Sequence, residues 1–94
     1  METNMKTHKT INFYSDPAHG WAKVNKAELK RLNIADKITP FSYQRKDYAY
    51  LEEDCDLQTY INALRNKGII TLIYREHPTM GKSKIRNYPC YCNI

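Results

Sequence analysis

The stretch from Asp56 to Tyr74 constrains the fold more than any other part of the chain. Leu57, Tyr60, Ile61 and Leu64 recur at i, i+3, i+4 and i+7, which puts them on one stripe of a helix. Asp56 stands where an N-cap belongs, and Gly68 where a glycine closes the last turn. The run Ile69-Ile70-Thr71-Leu72-Ile73-Tyr74 predicts the most apolar strand of the chain, expected at the centre of a sheet. A striped helix must bury its stripe, and the adjoining strand supplies a sheet to bury it against.

The remainder of the chain fills out that sheet. Thr10-Ile11-Asn12-Phe13-Tyr14 alternates and predicts a strand, and Trp21-Ala22-Lys23-Val24 predicts a second one folding back after the turn Ser15 to Gly20. Asn25 as N-cap with Glu28 three residues on forms a capping-box pattern, so a helix is expected over Lys26 to Asn33 with Leu29 and Leu32 buried. Phe41 to Gln44 and Tyr48 to Leu51 predict two strands around an Arg45-Lys46-Asp47 turn. Ile85 to Tyr91 is a candidate edge strand.

The resulting order, β-β-α-β-β-α-β with an optional last strand, predicts an α+β domain: a mixed or antiparallel sheet with two helices packed on one face. The strand from Tyr48, the helix from Leu57 and the strand from Ile69 are expected to make a right-handed βαβ crossover. With 94 residues there is room for one core, so residues 10–94 are read as a single domain. Residues 1–9 are polar, lack the apolar stretch of a signal peptide, and are read as a flexible tail.

Net charge is +5, but its distribution says more than its sum. Residues 1–46 carry nine basic and four acidic side chains, residues 47–56 carry five acids and no base, and the remainder has six bases and one acid. Two basic arms flank an acidic waist, a pattern suited to orientation against a charged partner. No window is long and apolar enough for a membrane helix. Three cysteines, Cys55, Cys90 and Cys92, are an odd number for a secreted disulfide framework and are read as reduced thiols in a cytoplasmic protein. P-loop, Rossmann, GxSxG and HExxH patterns are absent, so the chain is read as a non-enzyme with no cofactor.

Four constellations carry chemistry. Asp16-Pro17-Ala18-His19-Gly20-Trp21 gathers an acid, an imidazole and an indole in one turn, either as a recognition loop or as an Asx-type turn with Trp21 in the core. Glu52-Glu53-Asp54 with Asp56 offers carboxylates to a cation or a partner. Alternation along a strand lets at most two of them converge, and acids also favour a helix start, so no metal is assigned. Cys90-Tyr91-Cys92 lacks zinc-motif spacing. The C-terminal set Arg75, Lys82, Lys84, Arg86, Tyr88 and Tyr91 mixes cations with rings, as surfaces for nucleic acid do. A protein partner is expected to meet Asp16, His19, Trp21, Tyr48, Glu52, Glu53 and Asp54.

Phe13-Tyr14-Ser15-Asp16-Pro17-Ala18-His19-Gly20-Trp21, Phe41-Ser42-Tyr43, Tyr50 to Asp56 and Ser83 to Tyr88 together resemble a small uncharacterised family encoded by phages, prophages and plasmids. That family usually has glycine where this chain has Ala18 and Lys46. The resemblance implies a mobile-element setting in a bacterial cytoplasm and transfers no activity. The leading expectation is a non-enzymatic, anti-CRISPR-like inhibitor that binds a host protein or nucleoprotein complex. The alternative is a basic accessory protein that binds DNA or RNA, and a metal-dependent hydrolase built on Asp16, His19 and the acidic run ranks third.

Overall fold

Alternation along His8–Ser15 (β1) and Gly20–Asn25 (β2) builds an antiparallel pair with Tyr14 opposite Trp21 and Asn12 opposite Lys23, in a computed structural model that describes residues 8–93. Residues 1–7 of the expected tail lie outside the described residues. His8 and Lys9, read with that tail, instead open β1.

Lys26–Arg31 forms α1, with the Asn25 side chain accepting from the Ala27 N–H at 2.8 Å. The expected capping box is not closed. Glu28 is buried, accepting from Tyr60 Oη at 2.9 Å and pairing with Lys9 Nζ at 2.9 Å. Burial, and secondarily the Glu28 charge, pushes the Tyr60 phenol far above its ordinary range. The helix also stops before Leu32, because Asn33 adopts a left-handed φ of 61°.

Tyr43–Arg45 (β3) and Tyr48–Glu52 (β4) make the second hairpin, and Asp56–Asn66 forms α2. Lys46 turns this hairpin at φ 55°, in the left-handed region. Asp56 does not cap α2. It lies in the first turn, with Cys55 at the cap position, and its buried carboxylate accepts from Ser42 Oγ at 2.5 Å and Thr39 Oγ1 at 2.8 Å. A residue expected to close its own helix thus ties α2 to the connector ahead of β3.

Thr71–Pro78 forms β5, parallel to β1. The sheet order is β3-β4-β2-β1-β5, so the run expected at the centre lies at an edge, with Ile73 48% exposed. The reason is topological. β2 already has β1 and β4 as neighbours, and the outer side of β3 meets the C-terminal segment through the Tyr43–Cys90 bridge and the Gln44 N–H to Pro89 carbonyl bond. The remaining place is beside β1. β4 and β5 do run parallel around α2, but β2 and β1 lie between them, so the crossover spans two strands.

Ile11, Ala22, Val24, Ala49 and Leu51 point to one sheet face, where Leu29 of α1 and Leu57, Tyr60 and Leu64 of α2 cover them. The fold is the expected α+β domain with a mixed sheet. Each fully buried leucine here contributes about 1.5–3 kcal/mol. The opposite face carries a smaller cluster of Trp21, Tyr50 and Ile85, rimmed by Tyr14, Tyr43 and Tyr88. The expected strand over Ile85 to Tyr91 is instead a 3-10 turn at Lys84–Asn87, with Ser83 Oγ accepting from the Ile85 N–H, followed by the one bridge at Cys90. Pro89 has no N–H to give to a ladder.

Candidate functional site

The turn between β1 and β2 is organised by Asp16. Its Oδ1 accepts from the Ala18 and His19 N–H groups at 3.0 Å each, and its Oδ2 accepts from the Ser83 N–H at 3.0 Å. Arg86 completes the set through Nε to Oδ2 at 2.6 Å and Nη2 to Oδ1 at 3.0 Å. The Arg86 guanidinium, with the backbone donors, holds the Asp16 carboxyl well below the usual carboxylate range. Asp16, expected to face a partner, is therefore spent inside the fold, and Arg86 with it.

The rigid turn sets His19 against the end of β4. Trp21 lies opposite Glu52 in the β2–β4 register, and His19 Nδ1 comes within 3.5 Å of Glu52 Oε2. Glu52 Oε1 accepts from the Asp54 N–H at 2.9 Å, which folds the chain so that Glu52 and Asp54 lie on one side. One ligating atom each from His19, Glu52 and Asp54 fall within 4.8 Å of one another. Glu53 points elsewhere, beside Phe13 and Leu57, where burial and the neighbouring carboxylates push its carboxyl up. Two of the acids converge, as alternation allows, and the third does not.

A cavity of about 420 Å³ opens over this trio, walled also by Trp21, Tyr43, Cys55, Arg86 and the exposed ring of Phe41. The Trp21 indole is buried, and its Nε1 is the one buried side-chain polar atom among the described residues without a hydrogen-bond partner.

A second cavity, about 410 Å³, lies on the same sheet face between the sheet and the C-terminal segment. Lys23 and Arg45 border it from the strands and Lys82 and Lys84 from the segment, with Tyr14, Tyr50 and Tyr88 between them. No carboxylate is in its wall. Some rings already meet cations: Arg45 lies 5.5 Å from the Tyr88 centroid, and Lys23 Nζ lies 4.3 Å from that of Tyr48.

The expected nucleic-acid set is thus divided. Lys82, Lys84 and Tyr88 share the basic cavity, while Arg75 sits apart on the β5 edge, opposite Asn12 of β1. Tyr91 is 6% exposed and donates from Oη to the Ala35 carbonyl at 2.7 Å, so it belongs to the core rather than to any contact surface. Sequence reasoning missed Tyr14, Lys23, Arg45 and Tyr50 because their common signal, two-residue spacing on four strands, needs the strand register to combine. Tyr48, assigned to the protein-binding set, lies on this side of the sheet, away from His19.

No family model, curated protein or solved structure matches the chain. Among the described residues no helix is long and apolar enough to cross a membrane.

Proposed function

We propose that this protein is a small, non-enzymatic accessory protein that binds a single strand of DNA or RNA in the basic cavity between its sheet and its C-terminal segment. The observation that carries this reading is the composition of that wall: four cations and three tyrosines around one concavity, with no carboxylate. Cations track phosphates, and tyrosine faces accept bases of any sequence. The acidic waist, which would oppose a polyanion, does not reach this cavity. Asp56 is internal, and Glu52 and Asp54 lie with His19.

The test is fluorescence anisotropy with a labelled single-stranded 12-mer over a range of salt. Binding is expected to weaken steeply with salt, with a log–log slope of roughly −3 for four phosphate contacts. Absence of binding at low salt overturns the proposal.

A second reading keeps the leading expectation, an inhibitor of a host-defence nucleoprotein complex encoded by a phage or related element and acting in the bacterial cytoplasm. It is supported by Phe41, which is 72% exposed on the rim of the His19 cavity and is the kind of aromatic anchor that protein interfaces use. Capture of a partner from nuclease-treated lysate that Phe41→Ser abolishes supports docking through protein. Loss of capture on nuclease treatment alone returns the case to nucleic acid.

A further inference from the structure

The geometry points to a binding site for a divalent transition-metal ion formed by the imidazole of His19 and the carboxylates of Glu52 and Asp54. The trio draws on separate parts of the fold: His19 from the Asp16-centred turn, Glu52 from the end of β4, and Asp54 from the loop before α2. Tertiary structure brings the His19 imidazole to two carboxylates that are near neighbours in sequence.

His19 Nδ1 and Glu52 Oε2 face each other at 3.5 Å, longer than a good N–H···O hydrogen bond and close to the spacing of two ligands on one ion. All three ligand atoms lie within 4.8 Å of one another, whereas two ligands on one zinc-sized ion span at most about 4.4 Å. Ligands around one tetrahedral ion of this size sit about 3.4 Å apart, so closing the set needs a side-chain shift of about 1 Å, and the exposed side chains of His19 and Asp54 have room to make it. Glu52 is the fixed member, since its backbone N–H donates to Ser42 Oγ at 3.0 Å and its Oε1 accepts from Asp54.

An aromatic wall bounds the site on one side. Trp21 walls this cavity with its ring centroid 6.2 Å from that of His19, and its buried indole N–H has no acceptor among the described residues. One imidazole with two carboxylates suits Mn²⁺, Fe²⁺ or Zn²⁺ better than Mg²⁺ or Ca²⁺, which prefer oxygen alone. Three protein ligands leave coordination positions open to the cavity.

The site is independent of the basic cavity, and its test does not depend on nucleic acid. Mn²⁺ binding to the full chain is followed by EPR, with broadening of the His19 imidazole signals in NMR at substoichiometric Mn²⁺ as the local readout. One ion per chain is expected. His19→Ala and Asp54→Asn should each weaken binding by more than the about ten-fold that loss of an outer-shell contact costs. Glu53→Gln, which removes an equal charge from the side chain turned the other way, should leave affinity unchanged. Asp54 lies at the surface, so its variant keeps the test valid if His19→Ala folds poorly by circular dichroism. Weak binding that all three variants reduce alike, or His19 signals that Mn²⁺ leaves sharp, overturns the proposal.

Discussion

Arg86 grips Asp16 in a two-bond fork, Nε to Oδ2 at 2.6 Å and Nη2 to Oδ1 at 3.0 Å, joining residues 70 positions apart. The pair clamps the C-terminal segment onto the turn that presents His19, and it closes one end of the sheet face on which both cavities lie. Planar guanidinium fits a carboxylate in this way where an ammonium does not. Arg86→Lys is therefore expected to lower the urea midpoint, and to shift the His19 backbone resonances although His19 is itself unchanged.

The same clamp sets an acid dependence. The Asp16 carboxyl is depressed below its ordinary value of 3.8 in the folded chain, so the unfolded chain takes up a proton first as pH falls. Stability from this group is complete above the unfolded value and is lost as pH drops below it. Urea midpoints should fall between about pH 5 and pH 3. In Asp16→Asn the midpoint should be lower at pH 7, and its slope over that range flatter. Parallel slopes in the two proteins would show that other groups carry the acid sensitivity.

Gly20 is needed for close approach rather than for an unusual backbone angle. A Cβ at this position would run into the Phe13 ring, 2.8 Å from Cε2, and would stand 3.1 Å from Glu53 Oε1. The ring is half-buried against the core, so it or the backbone of β2 must shift to admit the methyl group. Gly20→Ala should destabilise by about 1–3 kcal/mol, the usual cost of overpacking, as read from denaturant unfolding.

Lys46 makes the opposite case. At φ 55° it holds a left-handed conformation that costs an ordinary residue about 1 kcal/mol. Lys46→Gly should relieve that strain and raise the stability of the β3–β4 hairpin, less the extra freedom it gives the unfolded chain. A lower urea midpoint in this variant would mean that the lysine side chain contributes more than its backbone costs.

In the basic cavity, charge and stacking should separate. Lys84→Ala is expected to flatten the salt dependence of single-strand binding by about one phosphate contact. Tyr88→Ala should cost about 1–3 kcal/mol per stacked base while leaving the salt slope unchanged. Anisotropy titrations at three salt concentrations distinguish the two patterns.

Much of the fold is legible in the order of residues. The alternation of Ile11 and Phe13 against Asn12 and Tyr14, the stripe of Leu57, Tyr60 and Leu64, and the turn at Gly68 mark the first strand and the longer helix. The candidate site is legible only in part. His19, Trp21, Glu52 and Asp54 stand out as residue types, and strand alternation already separates Glu53 from its neighbours. Their meeting with Phe41, and the gathering of Lys23 and Arg45 beside Lys82 and Lys84, follow from register and from the path of the C-terminal segment.

The division has a physical cause. Helix stripes, strand alternation and turn residues act over a few positions, because backbone hydrogen bonding and local sterics have that range, and the sequence therefore announces which elements form. Where those elements go is a matter of which edges and polar groups are already taken. Asp56 looks like a cap but finds Thr39 and Ser42, 17 and 14 residues away, and Glu28 looks like half of a capping box but finds Tyr60, 32 residues away. The most apolar strand goes to the edge because the inner positions are filled by hairpins whose partners are adjacent in sequence. A buried carboxylate or a free strand edge takes the best partner that packing brings within reach, and no local pattern encodes that distance.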